Sequence, residues 1–487
     1  MRHSVCYVTA ELVPHAKAGG LGDVSAALTR LLHVDGHPLA LFLPLYRDLD
    51  RRGVSVEPID GLADRVLALG PHRFRYSVRR GRRGAGLPDL LLVDCPALFD
   101  RPGLYGSGPD EHLRWLLLSH AALDACRHMR FAPDILHCHD WHTALLPLLL
   151  KTVYAHEPVF AATRSVLTIH NLGYQGVMSH DAAADLGLGG AVTALDPVEA
   201  TAGRINFMRQ GIVDADVVST VSPTYAGEIC TPEYGMGLDA VLRARGDEIV
   251  GILNGVDTAR WNPAKDRYLP HHYSSRDLAG KAQMRAALCH RLGLEPPPGR
   301  PLVGMVSRLV WQKGVDLLFG VLPELLGRRE LSIAVLGGGD PAYEGFFARL
   351  AAAHPGLAAF HNGHDEELAH WIEAGCDAFL MPSRYEPCGL NQMYSLRYGT
   401  VPVVRRTGGL ADSVRHFDRA TGEGTGIVFI DGDAGAVRWA LGHLGELYAD
   451  RAAWARLIAN GMAEDFSWGR PFAGYLRLYA HARERAR

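Results

Sequence analysis

Two segments of this chain put cations just beyond apolar runs, where a phosphate could be held. Lys17-Ala18-Gly19-Gly20-Leu21-Gly22-Asp23-Val24 closely follows the run Val5–Thr9. Its glycines let the backbone approach a ligand closely. The helix that the pattern starts near Asp23 turns its free N–H groups and positive dipole end toward the loop. With Lys17 in front, the combination suits a diphosphate; the alternative is a flexible strand-to-helix turn. The segment is neither a Walker A loop nor a G-x-G-x-x-G fingerprint. The second segment, Ser307-Arg308-Leu309-Val310-Trp311-Gln312-Lys313-Gly314-Val315-Asp316, follows Leu302–Val306. Arg308 and Lys313 lie five positions apart across a turn into a helix. Two such cations can clamp two phosphates, the arginine bidentately; the alternative is a solvated loop.

A carboxylate occupies a comparable place in Tyr385-Glu386-Pro387-Cys388-Gly389-Leu390, after Ala378–Met381. Pro387 is compatible with the start of a helix, and Gly389 permits close backbone approach. Glu386 there can stabilise positive charge developing on a sugar ring or hold its hydroxyls, or it can simply satisfy free helix amides. His170, in Thr168-Ile169-His170-Asn171-Leu172, could donate a hydrogen bond to a sugar, act as a base, or be a packed imidazole. His137-Cys138-His139-Asp140-Trp141-His142 suggests a metal at first sight. Alternate residues of a strand face opposite ways, however, and no second cluster supplies ligands at standard spacing. Asp140 and Trp141 better suit sugar binding, by hydrogen bonds and ring stacking. Three Asp-x-Asp triplets, Asp48–Asp50, Asp214–Asp216 and Asp431–Asp433, read as surface or turn residues. Two cationic phosphate clamps make a metal unnecessary, so no metal and no cofactor is expected.

These residues need strand ends to position them, and the chain supplies two series. Val5–Thr9, Leu39–Leu43, Leu90–Asp94, Ile135–Cys138, Ser165–Ile169 and Val217–Val221 read as strands. Helical patterns such as Val24–Leu32 and His112–Arg127 separate them. Strands alternating with helices imply parallel βαβ units. The alternation stops near Trp261, and polar, proline-bearing Asn262–Ser275 reads as a linker. Leu302–Val306, Ser332–Leu336, Ala358–Phe360, Ala378–Met381, Val401–Val404 and Ile427–Phe429 form the second series, entered through the stiff Pro296-Pro297-Pro298 loop. The chain is thus α/β, with two doubly wound halves. Ligands of such sheets bind beyond the carboxyl ends of strands, so the expected site is the cleft between the halves.

A length of 487 residues also calls for two cores. The formal charge of −3 speaks against a nucleic-acid partner. The opening residues do not read as a signal peptide, because Glu11 directly follows a short apolar stretch. No run approaches the roughly 18 apolar residues that a bilayer span requires. Eight scattered cysteines without a C-x-x-C pair read as reduced thiols. The expected setting is the cytoplasm, away from membranes.

Taken together, the motifs resemble the bacterial glycogen synthase and plant starch synthase family along almost the whole chain. The resemblance rests on K-A-G-G-L-G-D-V, H-C-H-D-W-H, T-I-H-N-L, V-S-P-T-Y (Val221–Tyr225), Y-G-M-G (Tyr234–Gly237) and I-L-N-G-V-D (Ile252–Asp257). S-R-L-V-W-Q-K-G, E-P-C-G-L, R-R-T-G-G-L-A-D (Arg405–Asp412) and D-F-S-W (Asp465–Trp468) complete the series. It implies a GT-B fold, two Rossmann-like domains facing across a cleft. Residues 1–262 would form the acceptor-side domain and 263–468 the nucleotide-sugar domain. Residues 469–487 would be a helix returning to the first. The implied reaction is retaining transfer of glucose from ADP-glucose to the non-reducing end of an α-1,4-glucan such as glycogen, with protein partners left open.

Carried over by position, the resemblance implies that Lys17, Gly19 and Gly20 meet the nucleotide sugar. Arg308 and Lys313 would bind its diphosphate, and Glu386 would support the cationic transition state. Cys388, Gly389 and Leu390 would line the glucose and phosphate subsite. His170 would touch the transferred glucose, with Asn254 nearby. Glu11, Tyr105, Asp140 and Asn171 fall on the acceptor side. The chain departs from related patterns at three places. Tyr394 stands eight positions after Glu386, where related GT-B transferases often carry a second Glu. Asn391 replaces a common Thr or Ser, and His364 stands where a tyrosine is often expected against the adenine. The alternatives are a retaining GT-B transferase with another nucleotide sugar or a small acceptor, and a non-catalytic glucan-binding relative.

Overall fold

The computed structural model describes residues 2–246 and 249–485. They divide into two compact units. One comprises the chain up to Val221, Ala226–Ile252 and the stretch from Gly469 onward; the other comprises Ser222–Tyr225 and Leu253–Trp468. The division thus falls at Ile252–Leu253, ahead of position 262 where the sequence reading puts it. The intervening residues already pack on second-unit elements. Trp261 stacks between His370, at 3.7 Å, and Tyr394, at 3.8 Å.

The first unit carries β1 (Val5–Val8), β2 (Leu39–Pro44), β3 (Ser55–Pro58), β4 (Arg65–Leu69), β5 (His72–Arg82) and β6 (Leu90–Asp94). Then come β7 (Ile135–His139), β8 (Arg164–Ile169), β9 (Val177–Ser179), β10 (Arg204–Asn206), β11 (Val217–Thr220) and β12 (Ile249–Gly251). Its main sheet runs β12-β11-β8-β7-β1-β2-β6-β5-β3, with β4 also on β5, while β9 and β10 form a separate ribbon. The strands from β12 to β6 are parallel. Strands β1, β7 and β11 are buried at every position, as expected of parallel strands covered on both faces. Antiparallel β3, β4 and β5 extend the edge and were not read from sequence. Strand order reverses at β1, which has β2 on one side and β7 on the other. That reversal opens a crevice beyond the carboxyl ends of β1 and β7.

The second unit carries β13 (Leu302–Val306), β14 (Ser332–Gly337), β15 (Ala358–Asn362), β16 (Ala378–Met381), β17 (Val401–Arg405) and β18 (Ile427–Phe429). They form one parallel sheet in the order β15-β14-β13-β16-β17-β18. Side chains alternate between two cores: Val303, Met305, Ile333, Val335 and Leu380 enter one, while Leu302, Ala334, Leu336, Phe379 and Met381 enter the other. Here the order reverses between β13 and β16, so the loops carrying Arg308, Lys313 and Glu386 leave the sheet at its switch point. Among the described residues, no helix is long and apolar enough to cross a membrane.

Candidate active site

In the first unit, the loop after β1 closes on Glu11. This buried carboxylate accepts the Ala18 and Gly19 amides through Oε2, each at 2.8 Å, and the Tyr105 hydroxyl through Oε1 at 2.5 Å. Two amides of the glycine-rich loop are therefore already used. Lys17 is likewise paired, with Asp23 at 3.0 Å. Gly19 is the extended residue before the helix Gly20–Val34, and no side chain caps that helix start. Gly22 packs tightly, because a Cβ there would lie 3.3 Å from the Ala16 carbonyl oxygen. The loop is thus held in shape by a carboxylate that the sequence reading assigned to the acceptor.

Beyond β7, Asp140 opens the short helix Asp140–Thr143 in the left-handed region, with φ +53°. That conformation is uncommon outside glycine, and such residues cluster at functional sites. Asp140 Oδ1 accepts the backbone N–H groups of His170 at 2.7 Å and Asn171 at 3.3 Å, joining the ends of β7 and β8. Burial pushes its carboxyl up to about 7, although those amide bonds pull it the other way. His170 Nε2 lies 3.0 Å from Nδ1 of the fully buried His139. Burial drives His170 down to about 3 and His139 well below its ordinary value. Tyr105 stacks on His142 at 4.8 Å, and Trp141 and Trp115 pack around that imidazole. Glu11 with Tyr105, and Asp140 with His170 and Asn171, thus form two hydrogen-bonded polar sets in the first unit.

In the second unit, Lys313 Nζ meets Glu386 Oε2 at 2.6 Å, and the Ser383 hydroxyl donates to the same oxygen at 2.9 Å. Lys313 ends the turn Trp311–Lys313, which stops at Gly314 in the left-handed region. A Cβ on Gly314 would lie 2.1 Å from the Pro382 carbonyl oxygen, so only glycine lets the two loops approach. The Glu386 loop is cradled in the same way by Gly408 and Gly409. Their Cβ atoms would lie 2.0 Å from the Glu386 and Cys388 carbonyl oxygens. Asn254 contacts the Cys388 thiol, which burial pushes up to about 12. Asn254 is itself buried, and its Oδ1 has no partner among the described residues. Gly389 is in the left-handed region beside Gln392, Leu390 precedes the helix Asn391–Arg397, and Asn391 donates to the Val306 carbonyl at 2.7 Å.

Arg308 is exposed at the end of β13. The His364 side chain is 82% exposed beyond β15, beside Glu366 at 3.8 Å, and does not join the Lys313 cluster. The Asp-x-Asp residues serve local structure: Asp433 caps a helix, Asp216 accepts from Ser165, and Asp50 pairs with Arg52. Among the described residues no three His, Cys, Asp or Glu side chains are grouped to hold a metal. Reasoning from sequence missed His139, Ser383 and Asp412. Asp412 accepts from Ser222 Oγ at 2.5 Å and Thr224 Oγ1 at 2.6 Å, which ties 222–225 into the second unit. A separation of 190 residues left no local signal for that link.

Residues 4–244 match the starch synthase catalytic domain family, and residues 291–458 match glycosyl transferases group 1. A glycogen synthase of Anaeromyxobacter dehalogenans (strain 2CP-C) is 45% identical, with 98% of each chain covered. One from Koribacter versatilis is 43% identical, over 99% of this chain and 98% of that one. Among solved structures, the catalytic domain of starch synthase IV from Arabidopsis thaliana, bound to ADP and acarbose, matches with a TM-score of 0.90. It is 34% identical and covers all of both chains. A sucrose-phosphate synthase from Thermosynechococcus elongatus, 17% identical with a TM-score of 0.60 over 99% of each chain, shares the fold. These matches bear out the expected GT-B class. Full-length identity and a common fold together show that the chain belongs to the glycogen synthase and starch synthase family of glycosyltransferases.

Proposed function

We propose that this chain elongates an α-1,4-glucan such as glycogen by transferring glucose from ADP-glucose to its non-reducing end, with retention and without a metal. The observation that carries the reading is the Lys313–Glu386 pair, 2.6 Å apart at the switch point of the second sheet. In this reading Lys313 exchanges its carboxylate partner for the donor diphosphate, with Arg308 as a second clamp. Glu386 is then released to face the glucosyl cation as it forms. The diphosphate, still held by the cations, takes the proton of the attacking glucan hydroxyl on the same face.

Asn254, Cys388, Gly389 and Leu390 line the glucose and phosphate subsite in this assignment. The unpartnered Asn254 Oδ1 supports it, since a buried acceptor calls for a donor. His170 contacts the transferred glucose. Glu11, Tyr105, Asp140 and Asn171 form the acceptor side. Lys17, Gly19 and Gly20 meet the donor once Glu11 and Asp23 yield, and His364 lies beside the adenine. The family is that of glycogen synthases, and the ADP bound to the starch synthase IV relative supports the choice of donor. The cytoplasm is the setting that fits.

Initial rates with ADP-glucose and UDP-glucose on glycogen, with and without EDTA, test this directly. Labelled glucose should enter precipitable glucan from ADP-glucose, unaffected by chelation. Faster incorporation from UDP-glucose would reverse the donor assignment. Transfer only to small acceptors would replace the glucan.

A further inference from the structure

His170 uses one ring nitrogen on a partner that no catalytic reading requires. Its Nε2 and Nδ1 of His139 are 3.0 Å apart, so a single proton lies between them. His139 has 0% exposure, and its other nitrogen, Nε2, has no hydrogen-bond partner among the described residues. His170 is partly exposed, and its Nδ1 has no partner among the described residues. With no carboxylate on either ring, burial keeps both neutral.

Two proton arrangements are then possible. If His170 donated from Nε2, His139 would have to carry its own proton on Nε2. That would be a buried N–H with no acceptor, the rarest kind of unsatisfied group. The rings of Tyr7 and His137 lie beside His139 at 35° and 43°, so an in-plane N–H would not aim squarely at either face. If His139 donates from Nδ1, the orphan is only a lone pair, and His170 carries its proton on Nδ1. We infer that His139 is a positioning residue that fixes His170 as the Nδ1–H tautomer, so that His170 offers the sugar a hydrogen-bond donor and not a base. This rests on the proposed contact between His170 and the transferred glucose. It resolves the three roles left open by the sequence in favour of the donor.

Long-range proton–nitrogen correlation spectra of the ¹⁵N-histidine-labelled full chain read the tautomers directly in the parent protein. His139 and His170 should both show protonated Nδ1 and bare Nε2, assigned from the signals lost in His139→Asn and His170→Asn. A protonated Nε2 on His170 overturns the inference. In kinetics, His139→Asn places an amide donor near the Nδ1 position and should stay within about threefold of the parent kcat. His139→Phe, which removes the donor, should lose about tenfold or more. Equal rates for the two would remove the positioning role. His170→Asn, which keeps a donor near Nδ1, should retain more activity than His170→Gln. If the tautomers are as stated but these two variants are equally poor, the tautomer assignment stands and the sugar contact fails.

Discussion

Asp140 illustrates how a single side chain can be kept in a costly state. Its carboxyl is raised from 3.8 to about 7 by burial, and it occupies a left-handed backbone position. A raised carboxyl binds a proton more tightly in the folded than in the unfolded chain. Stability therefore falls as pH rises from about 4 to 7 and stays low above it. At about 1.4 kcal/mol per unit, the ionised group costs at most about 4 kcal/mol. Asn keeps an oxygen for the His170 and Asn171 amides and tolerates positive φ. Asp140→Asn should thus raise the melting temperature at pH 8, with the gain shrinking to nothing near pH 4, while glucosyl transfer falls. A constant gain across that range would mean the carboxyl is not displaced. Lys313 poses the opposite case. Lys313→Ala strands the buried Glu386 carboxylate with Ser383 alone and should cost about 1–3 kcal/mol in denaturant unfolding. Adding Glu386→Gln should restore most of that stability but none of the activity. Failure of the double variant to recover stability would show that the pair is not what holds the loop.

At the scale of elements, the second-unit site depends on backbone approaching backbone. A Cβ on Gly409 would lie 2.0 Å from the Cys388 carbonyl oxygen and 2.4 Å from its Cα. Neither atom can rotate away as a side chain would. Gly409→Ala must therefore separate the helix Gly408–Ser413 from the Glu386 loop, and is expected to cost about 1–3 kcal/mol. A fall in kcat of at least about tenfold should accompany it, because displacing the loop moves Glu386. Unchanged kcat with lowered stability would show that the loop position is not critical. Residues such as Gly409 also mark what the sequence can reveal. The parallel strands were readable, since Leu39–Leu43 or Ala378–Met381 are short unbroken apolar runs. The antiparallel strand His72–Arg82 was not, because only Tyr76, Val78 and Gly81 face inward among five arginines. The Lys313 and Glu386 loops could be found because each follows such a run. Their contact, and the Glu11 bonds that occupy the glycine-rich loop, could not. The contact joins segments 73 residues apart, and the Glu11 bonds depend on how the loop folds back over eight residues, which no spacing rule specifies.

For the molecule as a whole, the decisive feature is that the last helix, Gly469–Glu484, belongs to the unit that the chain left at Ile252. It buries Tyr475, Leu478, Tyr479 and Ala482 and packs along β7 and β8. Tyr479 meets His137 Nδ1 at 2.8 Å. His137 Nε2 meets Thr168 at 2.7 Å, and Thr168 meets Ser219 at 2.8 Å. A buried polar line thus runs from the end of the chain across β7, β8 and β11, beneath the His139–His170 pair. Every member is satisfied, so removing one leaves a buried orphan. Tyr479→Phe keeps the ring and strands His137 Nδ1, and should cost about 1–3 kcal/mol. Tyr479→Ala adds a cavity and should cost about 3–5 kcal/mol. Two units with separate cores need not unfold together, so urea melts should be followed by probes in each. The first-unit transition should move in this order, while the second-unit transition stays put. Should only the second unit respond, or neither, the final helix would not be an integral part of the first core.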